Sequence, residues 1–276
     1  MGLFDKKYCD VCGEKIGLLG NRKLEDANLC KHCAAKLSPW FNERRHSTLE
    51  EIKEQLAYRE KNKDAVRQFH TTLTYGRSTK VLIDEDARKF MVTKAKDLEE
   101  DNPDVLDFSQ VTGCDLDIDE NRNELYRTDK DGKSVSYNPP RYEYSYDFYM
   151  IIRVNHPYFD EMKFKLNNFS VDTGEQRATE TGIRKPGSTA DMVGSILDVL
   201  VQATGTGGGE AYHPEYQEYL NMGREIRQTL MQARQDVREE AAAANAPKKP
   251  MICPHCQAST IPDDKGCCEY CGSSIA

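Results

Sequence analysis

No apolar run in the 276 residues is long enough to cross a membrane, and Met1 to Asp10 has neither the basic segment nor the hydrophobic stretch of a secretory signal. The chain is therefore expected in the cytoplasm, where reducing conditions make Cys-x-x-Cys pairs metal ligands or redox dithiols rather than structural disulfides. Positive charge is also scarce. Lys and Arg number 38 against 46 Asp and Glu, a formal net charge of -8, and fourteen acids face five bases between Asp84 and Glu124. Such a surface repels phosphate backbones and anionic lipid, which argues against the middle of the chain as a site for either. Catalytic constellations are missing as well: no Ser-His-Asp, Cys-His or paired-carboxylate arrangement stands out, and no enzyme is expected. Asp115-Leu116-Asp117-Ile118-Asp119 lacks the correctly placed glycine and glutamate of a calcium loop. Thr204 to Gly209 is glycine-rich but lacks the Lys-Ser/Thr ending of a phosphate loop, so it reads as a linker.

What the chain does have is cysteine at both ends. Cys9, Cys12, Cys30 and Cys33 form one quartet and Cys253, Cys256, Cys268 and Cys271 another. Each is a Cys-x-x-Cys pair followed by a second, the spacing that lets four thiolates converge on one zinc ion. Two Zn2+ per chain are expected. Four thiolates leave no position open for water or substrate, so the sites read as structural. Gly13 and Gly272 follow Cys12 and Cys271, where a positive φ lets backbone amides turn toward sulfur. His32 and His255 lie inside Cys-x-x-Cys pairs and read as turn residues, since better-spaced sulfurs are present. Cys267 stands next to Cys268 but would break the spacing to Cys271. It is read as a spectator thiol, with a redox-sensitive zinc protein as an alternative.

Glu14 to Leu29 reads as a β-hairpin and Lys31 to Leu37 as a short helix, which together make residues 1–46 a treble-clef-like zinc module. Ser47-Thr48-Leu49-Glu50 predicts a capping box with Ser47 as N-cap. The helix it opens carries Leu49, Ile52 and Leu56 on one stripe, but Arg59 to Asp64 is wholly polar, which predicts partial exposure; residues 47–78 are read as a connector. Period-two patterning follows. Tyr142, Tyr144, Tyr146, Phe148, Met150, Ile152 and Val154 share one face of a long strand, and Cys114, Leu116 and Ile118 point inward on another. Further strands are expected near Lys80 to Ile83, Lys89 to Thr93, Val111 to Ile118, Glu124 to Arg127, Ser134 to Tyr137 and Glu161 to Leu166, with Asp131-Gly132 as a two-residue hairpin turn.

About seven antiparallel strands and a helix from Ser188 or Thr189 to Val201 predict a sandwich or partly open barrel over 79–203. Strand and helix order there resembles pleckstrin-homology-like folds. Residues 204–213 are then a linker, 214–244 a long helix and 245–252 a tether, and 253–276 form a zinc ribbon. The fold class is thus α+β multidomain. In the long helix Tyr216, Tyr219, Gly223, Ile226, Leu230, Ala233 and Val237 alternate spacings of three and four, which predicts docking onto the chain's own β-domain or weak self-association through 214–240.

Tyr8-Cys9-Asp10-Val11-Cys12-Gly13, Leu29-Cys30-Lys31-His32-Cys33 and Ser47 to Glu60 resemble bacterial proteins carrying the domain of unknown function 4428, and Asn102 to Asp119 with Tyr142 to Asp147 resembles the region that follows it in longer members. The resemblance implies a zinc-binding protein with Cys9, Cys12, Cys30 and Cys33 as ligands, and supplies no activity. Cys253 to Gly272 is similar to generic bacterial zinc ribbons. The expected function is a non-catalytic protein-interaction or scaffold module with protein partners. A zinc-ribbon nucleic-acid binder is the alternative, since Met1 to His46 holds nine bases against six acids.

Overall fold

The computed structural model describes residues 6–177, 213–244, 250–263 and 265–275. The chain divides into two compact units, Met1–Arg234 and Gln235–Ala276. The helix expected between Ser188 and Val201 and the glycine-rich break at Thr204 to Gly209 lie outside the described residues.

The first unit begins with a short antiparallel pair, β1 (Arg22–Lys23) and β2 (Asn28–Leu29), and a helix, α1 (Lys31–Ala35). The next helix, α2 (Leu49–Gln68), starts one residue later than its sequence suggests. Thr48, not Ser47, is the N-cap, and it exchanges hydrogen bonds with Glu51. Ser47 Oγ instead donates to the Glu43 carbonyl at 3.0 Å. Both registers satisfy the capping-box pattern, and tertiary contact chooses between them: the Leu49 amide donates to Asp26 Oδ1 at 2.9 Å.

The polar stretch of α2 is partly exposed, with Glu60, Lys61 and Asp64 in solvent, but its other face is buried. Gln55, Arg59 and Asn62 are 1%, 5% and 5% exposed. Asn62 Nδ2 donates to Asn102 Oδ1 at 2.8 Å and to the Pro103 carbonyl at 2.7 Å, while its Oδ1 accepts from the Val105 amide at 3.1 Å. Asn102 returns a bond to the Arg59 carbonyl at 2.9 Å. Hydrogen bonding offsets the desolvation of Arg59 and Asn62, so the buried face that starts at Leu49 and Ile52 continues through polar residues that hydrophobic periodicity does not mark.

The strands form two four-stranded antiparallel sheets. The first has the order β3 (Leu73–Tyr75), β4 (Lys80–Asp84), β5 (Lys89–Thr93), β6 (Val105–Asp107), with a short helix α3 (Leu98–Asp101) between β5 and β6. Four successive residues are buried in β4 and again in β5. Alternation is lost because both faces are covered, with Leu82, Met91 and Val105 packing with Val66 of α2 on one of them.

The second sheet is built on one long hairpin, β7 (Val111–Thr128) with β8 (Ser134–Val154). The strands expected separately at 111–118 and 124–127 are one, as are those at 134–137 and 142–154. Pairing passes from Leu125↔Arg141 to Tyr126↔Ser136. Residues 137–140 are therefore set aside as a bulge, and Pro139 and Pro140, which lack amide protons, fall within it. The hairpin connection is also longer than two residues. The Asp129 amide donates to the Lys133 carbonyl, Asp129 Oδ1 accepts from the amides of Asp131 and Lys133, and Gly132 takes a φ of 78°. The aspartate side chain captures the turn and places glycine after its corner.

Beyond β7, the other edge of β8 takes two strands in succession, β9 (Glu161–Lys165) on residues 149–153 and β10 (Val171–Arg177) on residues 141–146. Asn167 makes that succession work. Buried to 2%, it donates to the carbonyls of Tyr146 and Phe169 and accepts from the Phe148 amide. The inward stripe of β8 is as its period predicts, with Phe148, Met150 and Ile152 fully buried.

Helix α4 (Pro214–Ala244) docks on this chain through Tyr216, Tyr219, Leu220, Gly223, Ile226 and Leu230. The ring of Tyr216 lies 4.9 Å from that of Tyr146 and 5.1 Å from that of Phe148, while Tyr75 of the first sheet meets Thr229 through their hydroxyls at 2.9 Å. Gly223 is required. A Cβ there would sit 2.6 Å from Leu116 Cδ1. The second unit is small, with β11 (Met251–Ile252) paired antiparallel to β12 (Ser259–Thr260) and a bridge between Cys267 and Ser274.

Candidate metal centres

The eight cysteines of the two quartets come together as two separate groups of four, with all sulfurs of a group within 4.8 Å of one another. Cys12 Sγ lies 3.7 Å from Cys30 Sγ; in the second group Cys253 and Cys271 are 3.6 Å apart and Cys256 and Cys268 3.7 Å apart. Four sulfurs at about 2.3 Å from a tetrahedral zinc ion are about 3.8 Å from one another, whereas a disulfide needs about 2.05 Å. The donor sets fit a four-coordinate, thiophilic metal ion.

Local backbone design explains the convergence. Three of the four Cys-x-x-Cys pairs have the same knuckle. The amide of the residue following the pair donates to the carbonyl of its first cysteine at 2.8 Å: Gly13 to Cys9, Gln257 to Cys253 and Gly272 to Cys268. These three donors have φ of 74°, 63° and 68°. Gly13 and Gly272 mark the turn in the sequence, and Gln257 hides it. The remaining pair is helical, Cys30 capping α1 with its Sγ accepting from the Cys33 amide at 3.3 Å. Cys9, Cys30 and Cys33 are buried in one core with Leu24, Leu29 and Ile52, so this site shares its packing with the start of α2.

The sulfurs of each group do not ionise alike. Burial opposes the Cys9 thiolate, yet amide donation from Cys12, Cys30 and Val11 outweighs it and draws the thiol down to about 6. Burial and the neighbouring sulfurs push Cys33 upward. Hydroxyl and amide of Ser273 draw Cys271 down to about 6, while Cys256, despite the Ala258 amide, is pushed up to about 12 by desolvation and the other three sulfurs. A metal-free quartet therefore retains protons that a bound dication must displace.

Residues outside the groups are equally definite. His32 and His255 join neither group. Cys267 is half-buried, with Sγ 3.8 Å from the Lys265 carbonyl. Cys114 is buried, and desolvation pushes its thiol up to about 12. Beside the first centre a groove of about 410 Å³ is lined by Arg22, Lys31 and Arg44 over Leu37 and Phe41. Its assembly from three separated segments gave no sequence signal.

Each of the two groups of four cysteine sulfurs could hold one metal ion, consistent with zinc. Residues 7–55, which hold the first group, match a family described as Domain of unknown function (DUF4428). No curated protein and no solved structure matches the chain. Among the described residues no helix is long and apolar enough to cross a membrane.

Proposed function

We propose that this chain is a non-catalytic, zinc-stabilised interaction module that presents surfaces to protein partners, with Zn2+ held by Cys9, Cys12, Cys30 and Cys33 and by Cys253, Cys256, Cys268 and Cys271. The observation that carries the reading is the composition of the two centres. Each offers four sulfurs to one ion, and a zinc ion so ligated has no open position at which to activate water or substrate. Bound zinc would supply cross-linking of the chain, which small modules need in place of a large core.

The order of knuckle, hairpin and helix over the first centre supports a treble-clef-like module, and the paired knuckles of the second support a ribbon. Two antiparallel sheets closed by a helix support the pleckstrin-homology-like description of the centre at the level of fold, which carries no activity. Eight cysteines grouped as two sets of metal ligands rather than as disulfides support a reducing, cytoplasmic setting.

The test is affinity capture with zinc-loaded full-length protein and with its Cys12→Ser and Cys256→Ser variants, followed by mass spectrometry. Specific protein partners lost with one of the two variants are expected. A salt-sensitive complex with RNA or DNA and no protein partner would transfer the assignment to nucleic-acid binding.

A further inference from the structure

Two adjacent leucines stand in solvent at the corner of a turn. The Gly20 amide donates to the Gly17 carbonyl at 2.9 Å, which makes Leu18 and Leu19 the central residues, and they are 92% and 81% exposed. Single exposed leucines are ordinary, but turn corners normally go to Gly, Pro, Asn, Asp or Ser. The corner is held outward. Arg22 Nη1 lies 3.4 Å from the carbonyls of both Leu19 and Asn21, and Ile16 and Leu24 anchor the two ends of the loop in the core at 7% and 1% exposure.

Arg22 also lines the groove that holds Lys31 and Arg44. Among the described residues none of these three cations has a carboxylate within ion-pair distance. Arg44 Nη1 is satisfied by the Lys23 carbonyl at 2.6 Å rather than by an acid. Burial and the adjacent charges of Arg45 and Arg22 lower its pKa. Uncompensated positive charge is conspicuous in a chain of net charge -8. An apolar corner beside unpaired cations complements a surface that is anionic outside and hydrocarbon beneath.

We propose that the N-terminal module docks reversibly on anionic phospholipid bilayers, Leu18 and Leu19 entering the acyl boundary and Arg22, Lys31 and Arg44 taking lipid phosphates. A convex apolar corner suits a deformable medium, and the flanking cations suit phosphate. Two leucines make a shallow anchor, so attachment depends on both parts and is lost at high salt. This surface is additional to the protein-binding role and does not depend on it.

The experiment is co-sedimentation of zinc-loaded, full-length protein with vesicles of phosphatidylcholine alone or containing about 30% phosphatidylserine, a fraction that gives a strongly negative surface potential. Binding to the anionic vesicles only is expected. L18S/L19S and R22Q/R44Q should each weaken it about tenfold or more, while the metal content of both variants stays that of the parent and so reports an intact module. No binding to anionic vesicles, equal binding to neutral ones, or binding that survives L18S/L19S overturns the proposal. Binding to a single-stranded oligonucleotide that R22Q/R44Q abolishes and L18S/L19S leaves intact, without vesicle binding, assigns the groove to nucleic acid instead.

Discussion

Arg59 and Asp104 form an ion pair inside the first unit, Nη1 to Oδ1 at 2.6 Å with side chains 6% and 0% exposed. Ser38 Oγ donates to the other carboxylate oxygen at 2.8 Å, and Arg59 Nε donates to the Lys36 carbonyl at 3.2 Å. One buried charge pair thereby joins the chain just after Cys33, the middle of α2 and the loop before β6.

Removing one partner leaves the other charged and desolvated. Arg59→Met should destabilise the unit by about 3–5 kcal/mol, read as a lower urea midpoint. The double variant Arg59→Met, Asp104→Leu should lose less than the sum of the single variants, because no orphan charge remains. Simple additivity would show that the two groups do not act as a pair.

Metal removal should reach past the first quartet. Ile52 packs in the same core as Cys9, Cys30 and Cys33, so chelation should raise amide exchange over the first two turns of α2 as well as over residues 7–37. Cys12→Ser should do the same while removing one of two bound zinc ions. Unchanged protection at Ile52 in metal-free protein would refute this coupling.

The metal centres and the long strands were legible in the sequence because their signals are local: four-residue cysteine spacing, and a period of two that holds from Tyr142 to Val154. The capping-box register was ambiguous because Ser47 and Thr48 are both followed three residues later by glutamate, and Asp26, distant in sequence, decides between them. Which residues of the polar stretch turn inward was not legible, because the partners of Arg59 and Asn62, Asn102 to Asp104, lie 40 to 45 residues away in an acidic stretch that itself read as surface. Pairing of one hairpin across residues 137–140 was hidden by two prolines that signal a strand end. Periodicity reports burial against hydrocarbon and is blind to burial against polar partners.

His156 gives the first unit a pH dependence. It is 9% exposed, with Nε2 2.9 Å from the Tyr58 hydroxyl among Tyr158 and Phe159. Burial lowers its pKa below the ordinary value, with Arg59 adding to the effect and Asp104 opposing it. An unfolded imidazole takes its proton near pH 6.5 while the folded one resists. The stabilisation is therefore complete above about pH 6.5 and is lost as pH falls below it. Urea midpoints measured from pH 7.5 to pH 5 should fall, and His156→Gln should flatten that slope. An equal slope in the variant would place the titration elsewhere.

Gln55 is buried to 1%, yet neither of its side-chain polar atoms has a hydrogen-bond partner among the described residues. An unpaired buried amide costs about 1–3 kcal/mol. Gln55→Met keeps the length of the side chain and removes the polar atoms, so a gain of about 1 kcal/mol in unfolding free energy is expected. A loss of stability would indicate that the amide is satisfied in solution.

Gln257 occupies the left-handed position that glycine fills in the two equivalent knuckles, with φ of 63° against 74° at Gly13 and 68° at Gly272. A side chain in that region costs about 1–2 kcal/mol, and the greater freedom of unfolded glycine returns about 0.5–1 kcal/mol of any gain. Gln257→Gly should therefore stabilise the second centre by up to about 1 kcal/mol, read as a few-fold higher chelator concentration for half-release of its zinc. The first centre should not respond. Gly13→Gln should act in the opposite sense at the first centre alone: nothing lies within 4 Å of an added Cβ there, so backbone conformation is the main difference introduced. Easier zinc release from Gln257→Gly would mean that the glutamine side chain stabilises the knuckle by more than its backbone strain costs.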